Sequence, residues 1–248
     1  MPDRKLLIDL GNTRVKWSWA RDGEVDTDSS GQGDPAEFER VHLEKEGLAP
    51  AEVLLSSVAG EERTRRIADV CGQLWTAPVR RLRSRARQGG VRCAYTDPSR
   101  LGVDRWLALV GAVAKYGKPV AVWDVGTAAT LDAVDRDGQH LGGLILPGPE
   151  LMRTGLAERT KLNVPASLEV LQRLRPGRDT HECIVHGILA AQVGAAQWFL
   201  REGATPTTGL PRLVVTGGAA ELVHRVMQRE KWDSIHDPWL VFRGMLVD

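Results

Sequence analysis

Cysteine is scarce in this chain of 248 residues: Cys71, Cys93 and Cys183 stand far apart, and no Cys-x-x-Cys pair occurs. That spacing indicates neither a disulfide framework nor a zinc site, and it suits a reducing cytoplasm. Charge of one sign is also lacking. The net charge of +1 argues against a surface built to coat nucleic acid. No stretch is apolar for about eighteen residues, the length a membrane helix needs. The N-terminus, MPDRKLLIDL, does not read as a signal peptide, because a strand begins almost at once. The six histidines, at 42, 140, 181, 186, 224 and 236, show no ligand spacing, and none is assigned to catalysis. What remains is the composition of an ordinary globular protein, long enough for one large or two small domains with a real core.

The chain is organised around Leu6 to Trp19, LLIDLGNTRVKWSW. Leu6, Leu7 and Ile8 make a short apolar run that suits a buried strand. Leu10-Gly11-Asn12-Thr13 supplies a tight turn, and Val15, Trp17 and Trp19 alternate with Lys16 and Ser18 as a second strand. In such a hairpin, backbone N–H groups and the Thr13 hydroxyl can meet phosphate oxygens, and Asp9 can hold a metal ion or its waters. An ordinary hairpin with a hydrogen-bonding Asp reads the same way. The plan recurs at Ala121 to Ala133, AVWDVGTAATLDA, where Asp124, Gly126 and Thr127 follow an apolar strand. Each copy is followed by a further apolar strand ending in small residues, Val53 to Gly60 and Leu213 to Ala220. The same order of elements in both halves predicts a duplicated domain.

Taken in order, residues 20–35 read as a hairpin turn at Arg21-Asp22-Gly23 and then a loop. Asp34-Pro35 opens an expected helix with Phe38, Val41 and Leu43 on its apolar face. Glu61 to Trp75 is an amphipathic helix with Ile67, Val70, Cys71 and Leu74 inward. A short strand is expected to begin at Val79. Arg80 to Arg87, RRLRSRAR, reads as a solvated face or a surface that attracts anionic substrates, ahead of a nucleic-acid contact. Asp104 and Arg105 open a helix that runs to Tyr116. A cap accounts for Asp104. It does not account for Arg105, since a cation at a helix N-terminus is unfavourable unless it meets an anion. Gly117-Lys118-Pro119 marks the expected boundary between halves 1–117 and 118–248. Asp135-Arg136-Asp137-Gly138 is a hairpin turn, Leu141 to Pro149 a strand, and Glu150 to Thr160 a helix. Thr180 is read as the cap of a helix from His181 to Leu200, and residues 201–211 as a loop. Gly187, Ala190, Ala191, Gly194 and Ala195 give that helix one small face. Thr216-Gly217-Gly218 turns into a helix from Ala219 to Gln228, and Trp239 to Phe242 is expected as a last strand.

The segments Asp9-Leu10-Gly11-Asn12-Thr13, Gly102-Val103-Asp104-Arg105, Asp124 to Thr130, Gly142 to Gly148 and Thr216-Gly217-Gly218 together resemble the type III pantothenate kinase family. That family belongs to the acetate/sugar kinase, Hsp70 and actin superfold. The resemblance covers nearly the whole chain. It implies an α/β fold: duplicated ribonuclease-H-like (actin-like ATPase) domains, each a mixed five-stranded sheet with flanking helices. It implies ATP-dependent phosphorylation of pantothenate with Mg²⁺, and a monovalent cation, K⁺ or NH₄⁺, at Asp124. By the same resemblance Asp104 is the general base and Asp9 holds Mg²⁺ through water. ATP would meet Asp9, Leu10, Gly11, Asn12, Thr13, Arg14, Val15, Lys16, Thr127, Gly217 and Gly218. Pantothenate would meet Tyr95, Gly102, Val103, Asp104, Arg105 and Thr180. A homodimer is also implied. Two alternatives stay open: another phosphotransferase or phosphatase of the superfold, and a regulatory accessory-factor-like binding protein.

Overall fold

The computed structural model describes residues 4–34, 38, 49–169, 173–203 and 210–248. The chain divides into two compact units. One comprises Met1–Lys115 with Trp239–Asp248, the other Tyr116–Pro238. The division falls beside Gly117-Lys118-Pro119, and the last ten residues group with the first unit. The expected helix from Asp34-Pro35, with Val41 and Leu43, lies outside the described residues. Phe38 is described: it is helical, buried, and meets Trp17 edge-on at 5.3 Å.

The first unit carries strands β1 (Arg4–Leu10), β2 (Val15–Arg21), β3 (Glu24–Gly33), β4 (Glu52–Ser57) and β5 (Val79–Arg81) in the order β3-β2-β1-β4-β5. β1, β2 and β3 are antiparallel neighbours, while β4 runs parallel to both β1 and β5. Leu6, Leu7 and Ile8 are fully buried, so β1 is covered on both faces, as its unbroken apolar run requires. Helix α1 (Glu61–Leu74) turns Ile67 and Cys71 into the cluster formed with Leu6, Ile8, Val53 and Leu55. Burial pushes the Cys71 thiol up to about 12. Short strands β6 (Arg87–Gln88) and β7 (Val91–Arg92) form a ribbon ahead of helix α2 (Val103–Tyr116), whose residues from Arg105 to Val113 are all buried.

Two expectations are corrected in this unit. Residues 24–33 are a strand, not a loop. Their polar composition reflects an edge position with little burial, and a bulge opposite Trp17 and Trp19 breaks the alternation. Gly31 lies beneath Trp17, where a Cβ would come within 2.3 Å of the indole. Residues Leu240–Met245 are a helix, not a strand, and this C-terminal helix crosses α2 backbone to backbone. A Cβ on Gly111 would stand 2.2 Å from the Leu240 carbonyl oxygen, and one on Gly244 would stand 2.0 Å from that of Leu107. A short apolar run fits a strand or a buried helix equally, and packing decides.

The second unit repeats the first. Strands β8 (Val120–Val125), β9 (Ala128–Val134), β10 (His140–Pro147), β11 (Arg212–Thr216) and β12 (Ile235–His236) are ordered β10-β9-β8-β11-β12, with the same alternation of antiparallel and parallel neighbours. Helices α3 (Pro149–Arg159), α4 (Thr180–Trp198) and α5 (Ala220–Arg229) accompany this sheet, with a π turn over Phe199–Gly203. Residues 204–209 of the expected loop lie outside the described residues. By length and composition Thr180–Gly203 could cross a membrane. Here it is a core helix, with Ile184, Val185, Ile188, Leu189, Val193 and Ala196 buried against β8 and β9 residues such as Trp123 and Leu131.

The crossing of α2 by the C-terminal helix gives a test. Relief of glycine's helix penalty offers about 0.5–1 kcal/mol for alanine in an open helix interior, whereas overpacking costs about 1–3 kcal/mol. Gly111→Val is expected to lower Tm, at roughly 2–4 °C per kcal/mol for a chain of this size. Gly72→Ala, on an exposed stretch of α1 with nothing within 4 Å, is expected to raise it slightly. Thermal unfolding of the two variants checks both signs, and an unchanged Tm for Gly111→Val would contradict the close crossing.

Candidate active site

In the first unit the ligand-facing features gather at one end of the sheet. Asp9 lies one residue from the end of β1, in register with Lys16 on β2 and Ser56 on β4. The buried Ser56 hydroxyl donates to Asp9 Oδ1 at 3.0 Å. Gly11 N–H donates to the Arg14 carbonyl at 2.9 Å and closes the turn. Asn12, Thr13 and Arg14 are exposed there, and Arg63 of α1 donates to the Asn12 carbonyl. Leu10 and Val15, expected among the nucleotide contacts, have fully buried side chains, so only their backbones can reach a ligand. The Leu10 carbonyl already accepts from Val58 N–H.

The Gly102-to-Arg105 turn starts α2. The Gly102 carbonyl accepts from Trp106 N–H at 3.0 Å, and Asp104 Oδ1 accepts from Arg105 N–H at 2.8 Å. A Cβ at Gly102 would come within 2.6 Å of Asp104 Oδ1, so glycine makes the room the carboxylate uses. Arg105 is 8% exposed, and its guanidinium donates to the Tyr95 hydroxyl at 3.4 Å. Tyr95 and Arg105, both expected at pantothenate, are therefore together. Gly102 and Val103 line a cavity of about 370 Å³ with Ser57, Arg83, Ser84 and Arg100. It opens at the carboxyl ends of parallel strands β4 and β5, where open α/β sheets bind ligands. Of the basic run, Arg80 pairs with Glu52 at 2.8 Å and Arg81 with Glu61 at 2.9 Å. Arg81 holds the exposed Glu61 carboxyl below its usual range. Exposed pairs of this kind contribute little to stability.

In the second unit three glycine motifs converge on Asp124. Asp124 is in register with Thr130 on β9 and Thr216 on β11. Gly217 has φ +98°, and a Cβ there would lie 2.3 Å from Asp124 Oδ1 and 2.7 Å from the Val125 backbone. Gly148 N–H donates to the Thr127 carbonyl at 2.8 Å, and a Cβ on Gly148 would stand 2.0 Å from the Gly126 carbonyl oxygen. Ala219 N–H donates to the Val125 carbonyl at 2.9 Å and fixes the start of α5. Thr127 and Gly218 stay exposed beside this frame. Among the described residues no group of three or more His, Cys, Asp or Glu could hold a metal. A strand-end carboxylate fits a hard cation whose other ligands are phosphate oxygens and water.

Thr180 is corrected as a cap. Asp179 is the N-cap, accepting from Glu182 N–H at 2.8 Å, and Thr180 is the first helical residue. Thr180 lines a cavity of about 710 Å³ with Asn163, Pro165 and His181 in the second unit, whereas Tyr95 and Gly102 to Arg105 belong to the first. Sequence reasoning missed Ser56, Ser84 and Arg100; it took Arg83 only as part of a basic run and Gly148 only as part of a motif, without the contact it makes with Gly126. A signal for the first existed: Ser56-Ser57 ends an apolar run at a strand's carboxyl end.

The packing at Gly217 predicts that Gly217→Ala loses nucleotide binding while the fold survives. ATP titration by calorimetry is expected to show affinity roughly ten-fold weaker or more, because the collision displaces Asp124 and the Val125 backbone from the positions they hold beside Gly217. Unchanged affinity would remove Gly217 from the site.

The family model for type III pantothenate kinase matches residues 5–202. The type III pantothenate kinase of Halorhodospira halophila is 35% identical over 252 residues, covering 98% of this chain and 96% of the relative. That of Ectopseudomonas mendocina is 34% identical, covering 98% and 97%. Among solved structures, a conserved protein from Campylobacter jejuni ascribed to the Baf family of transcriptional activators aligns with a TM-score of 0.60 at 19% identity, over 97% of this chain and 94% of that one. The ethanolamine utilization protein EutJ of Carboxydothermus hydrogenoformans aligns with a TM-score of 0.57 at 11% identity, over 99% and 89%. Likeness at such low identity speaks to the fold, which is that of the actin-like ATPases. With a family model over most of its length and relatives above 30% identity across both units, this chain belongs to the type III pantothenate kinase family.

Proposed function

We propose that the chain transfers the γ-phosphoryl group of ATP to the primary hydroxyl of pantothenate, giving 4′-phosphopantothenate and ADP, the first step of coenzyme A synthesis. The family match carries this reading. The Gly102-to-Arg105 turn supports it: Gly102 and Val103 line a ligand-sized cavity, and a carboxylate and a Tyr95-paired guanidinium follow directly in the chain. The regulatory alternative is not favoured by relatives that are kinases across nearly the full chain.

Asp104 takes the proton of the acceptor hydroxyl as its oxygen bonds to the γ-phosphorus and the bond to the β-phosphate oxygen breaks. The transfer is direct, with no phosphoenzyme. Positioning and charge neutralisation supply most of the rate in such reactions. The exposed Thr13 and Thr127 hydroxyls and the turn amides around Gly11 and Gly126 hold phosphate oxygens. Gly217 and Gly218 let adenosine lie against the backbone ahead of α5. A divalent ion bound with ATP offsets the phosphate charge; Asp9 would hold it through water. Asp124 would hold a monovalent cation, K⁺ or NH₄⁺. Tyr95, Arg105 and Thr180 contact pantothenate.

The exposed face of α4, with Gly187, Ala191 and Gly194 beside the 55%-exposed Trp198, suits close packing of two copies as a homodimer. Three free thiols suit a reducing cytoplasm.

Asp104→Asn keeps the shape and removes the base. The coupled assay for ADP is expected to show kcat lower by roughly 10²–10⁴-fold, with ATP affinity unchanged by calorimetry. A near-normal rate would mean that Asp104 is not the base.

A further inference from the structure

Helix α4 carries one residue that its buried face does not need. Ile188, Leu189, Val193 and Ala196 pack into the apolar core of the second unit, and Gln192 stands among them, fully buried. Its side-chain Oε1 meets no hydrogen-bond partner among the described residues. A buried amide oxygen without a partner is costly, and leucine fills a similar space without that cost. What offsets the cost lies at the other end of the amide.

Gln192 Nε2 donates to the Pro147 carbonyl at 2.7 Å and, more weakly, to Met152 Sδ at 3.2 Å. Both of its N–H bonds are thus committed, and the opposite amide orientation would set Oε1 against the carbonyl oxygen. The two acceptors flank Gly148: Pro147 ends β10, and Met152 lies near the start of α3. The Gly148 carbonyl accepts from Met152 N–H at 2.9 Å, and Gly148 N–H donates to the Thr127 carbonyl at 2.8 Å. There is no slack in that contact, since a Cβ on Gly148 would stand 2.0 Å from the Gly126 carbonyl oxygen and 2.8 Å from that of Thr127. One glutamine on a helix distant in sequence therefore braces both sides of the glycine that backs the Asp124-to-Thr127 turn.

We propose that Gln192 is a positioning residue for nucleotide binding: through Pro147 and Met152 it holds Gly148 against the Gly126 and Thr127 backbone, and so fixes the turn that meets the phosphate oxygens. This rests on the kinase reading in placing a phosphate chain at that turn. Gln192 acts through the Pro147 carbonyl and Gly148, not by touching the nucleotide. Turn amides and a hydroxyl recognise phosphate best when they are fixed before it arrives, and a donor anchored in the core of α4 supplies that fixing from behind.

The test titrates ATP with Mg²⁺ by calorimetry, and follows thermal unfolding, for the wild type, Gln192→Leu, Gln192→Glu and Val193→Ala. Gln192→Leu keeps the bulk and removes the donor, and ATP affinity is expected to fall roughly three- to ten-fold, the range that one neutral hydrogen bond spans. Val193→Ala opens a cavity on the same buried face and is expected to lower Tm with ATP affinity unchanged. Gln192→Glu supplies the readout that a merely structural role would not move. Burial favours its neutral carboxyl, whose O–H can donate to the Pro147 carbonyl, whereas the ionised carboxylate repels that oxygen. Its ATP affinity relative to wild type at the same pH is therefore expected to recover as pH falls. Wild-type affinity in Gln192→Leu would overturn the proposal. Equal losses in Gln192→Leu and Val193→Ala would also overturn it and make Gln192 an ordinary core residue. If Gln192→Leu does not fold, Gln192→Glu decides alone, and a ratio to wild type that ignores pH would overturn the donor role. Wild-type protein that binds ATP yet forms no ADP with pantothenate would refute the kinase reading and not this proposal, because the titration reads binding without turnover; wild-type protein that binds no ATP would overturn both.

Discussion

At Gly148 an added carbon would stand 2.0 Å from the Gly126 carbonyl oxygen, and at Gly217 it would stand 2.3 Å from an oxygen of Asp124. The Asp124-to-Thr127 turn therefore packs directly on the backbone at Gly148 and at Gly217, with the Asp124 carboxylate held against the second. This contact fixes where Asp124 sits and leaves Thr127 and Gly218 uncovered beside it. A packed backbone of this kind presents amide dipoles at fixed positions, which is what recognition of a phosphate chain needs. The first unit reaches a comparable result by other means. There the Ser56 hydroxyl steadies Asp9, and Gly102 clears space for Asp104.

The two units share one strand order and one pattern of parallel and antiparallel neighbours. Their differences lie in what is attached. The first unit adds the cavity at the ends of β4 and β5 and the helix that starts at Val103. The second adds α3 and the long helix α4, whose buried face forms much of its core. Duplication supplies two similar Asp-x-Gly turns, and divergence supplies the cavity of the first unit and the long helix of the second. This division of labour follows from a fold in which the strand ends, not the sheet, carry the chemistry.

Much of this was legible in the sequence because the informative residues act locally. An Asp-x-Gly turn after an apolar strand is readable wherever it occurs, and its recurrence at Asp9 and Asp124 disclosed the duplication. The Asp135 to Gly138 turn and the α2 register were readable for the same reason. What escaped depends on packing across long separations. β3 is polar because it is an exposed edge, and only its pairing with β2 makes it a strand. Trp239 to Phe242 is apolar in either conformation, and the gap left by Gly111 selects the helix. Asp179 and Thr180 are both good caps, and the backbone at Asp179, φ −143° and ψ 170°, decides between them. The pairing of Tyr95 with Arg105 and the arginine-lined cavity are likewise products of tertiary structure.

The account centres on phosphoryl transfer to an alcohol, with ATP cleaved only when the acceptor is present. The most direct measurement follows ADP and phosphorylated product together, by coupled assay and mass spectrometry, with and without pantothenate. The account predicts ADP formed one for one with 4′-phosphopantothenate and negligible ADP in its absence. Equal ADP release in both conditions, or none in either, would contradict it.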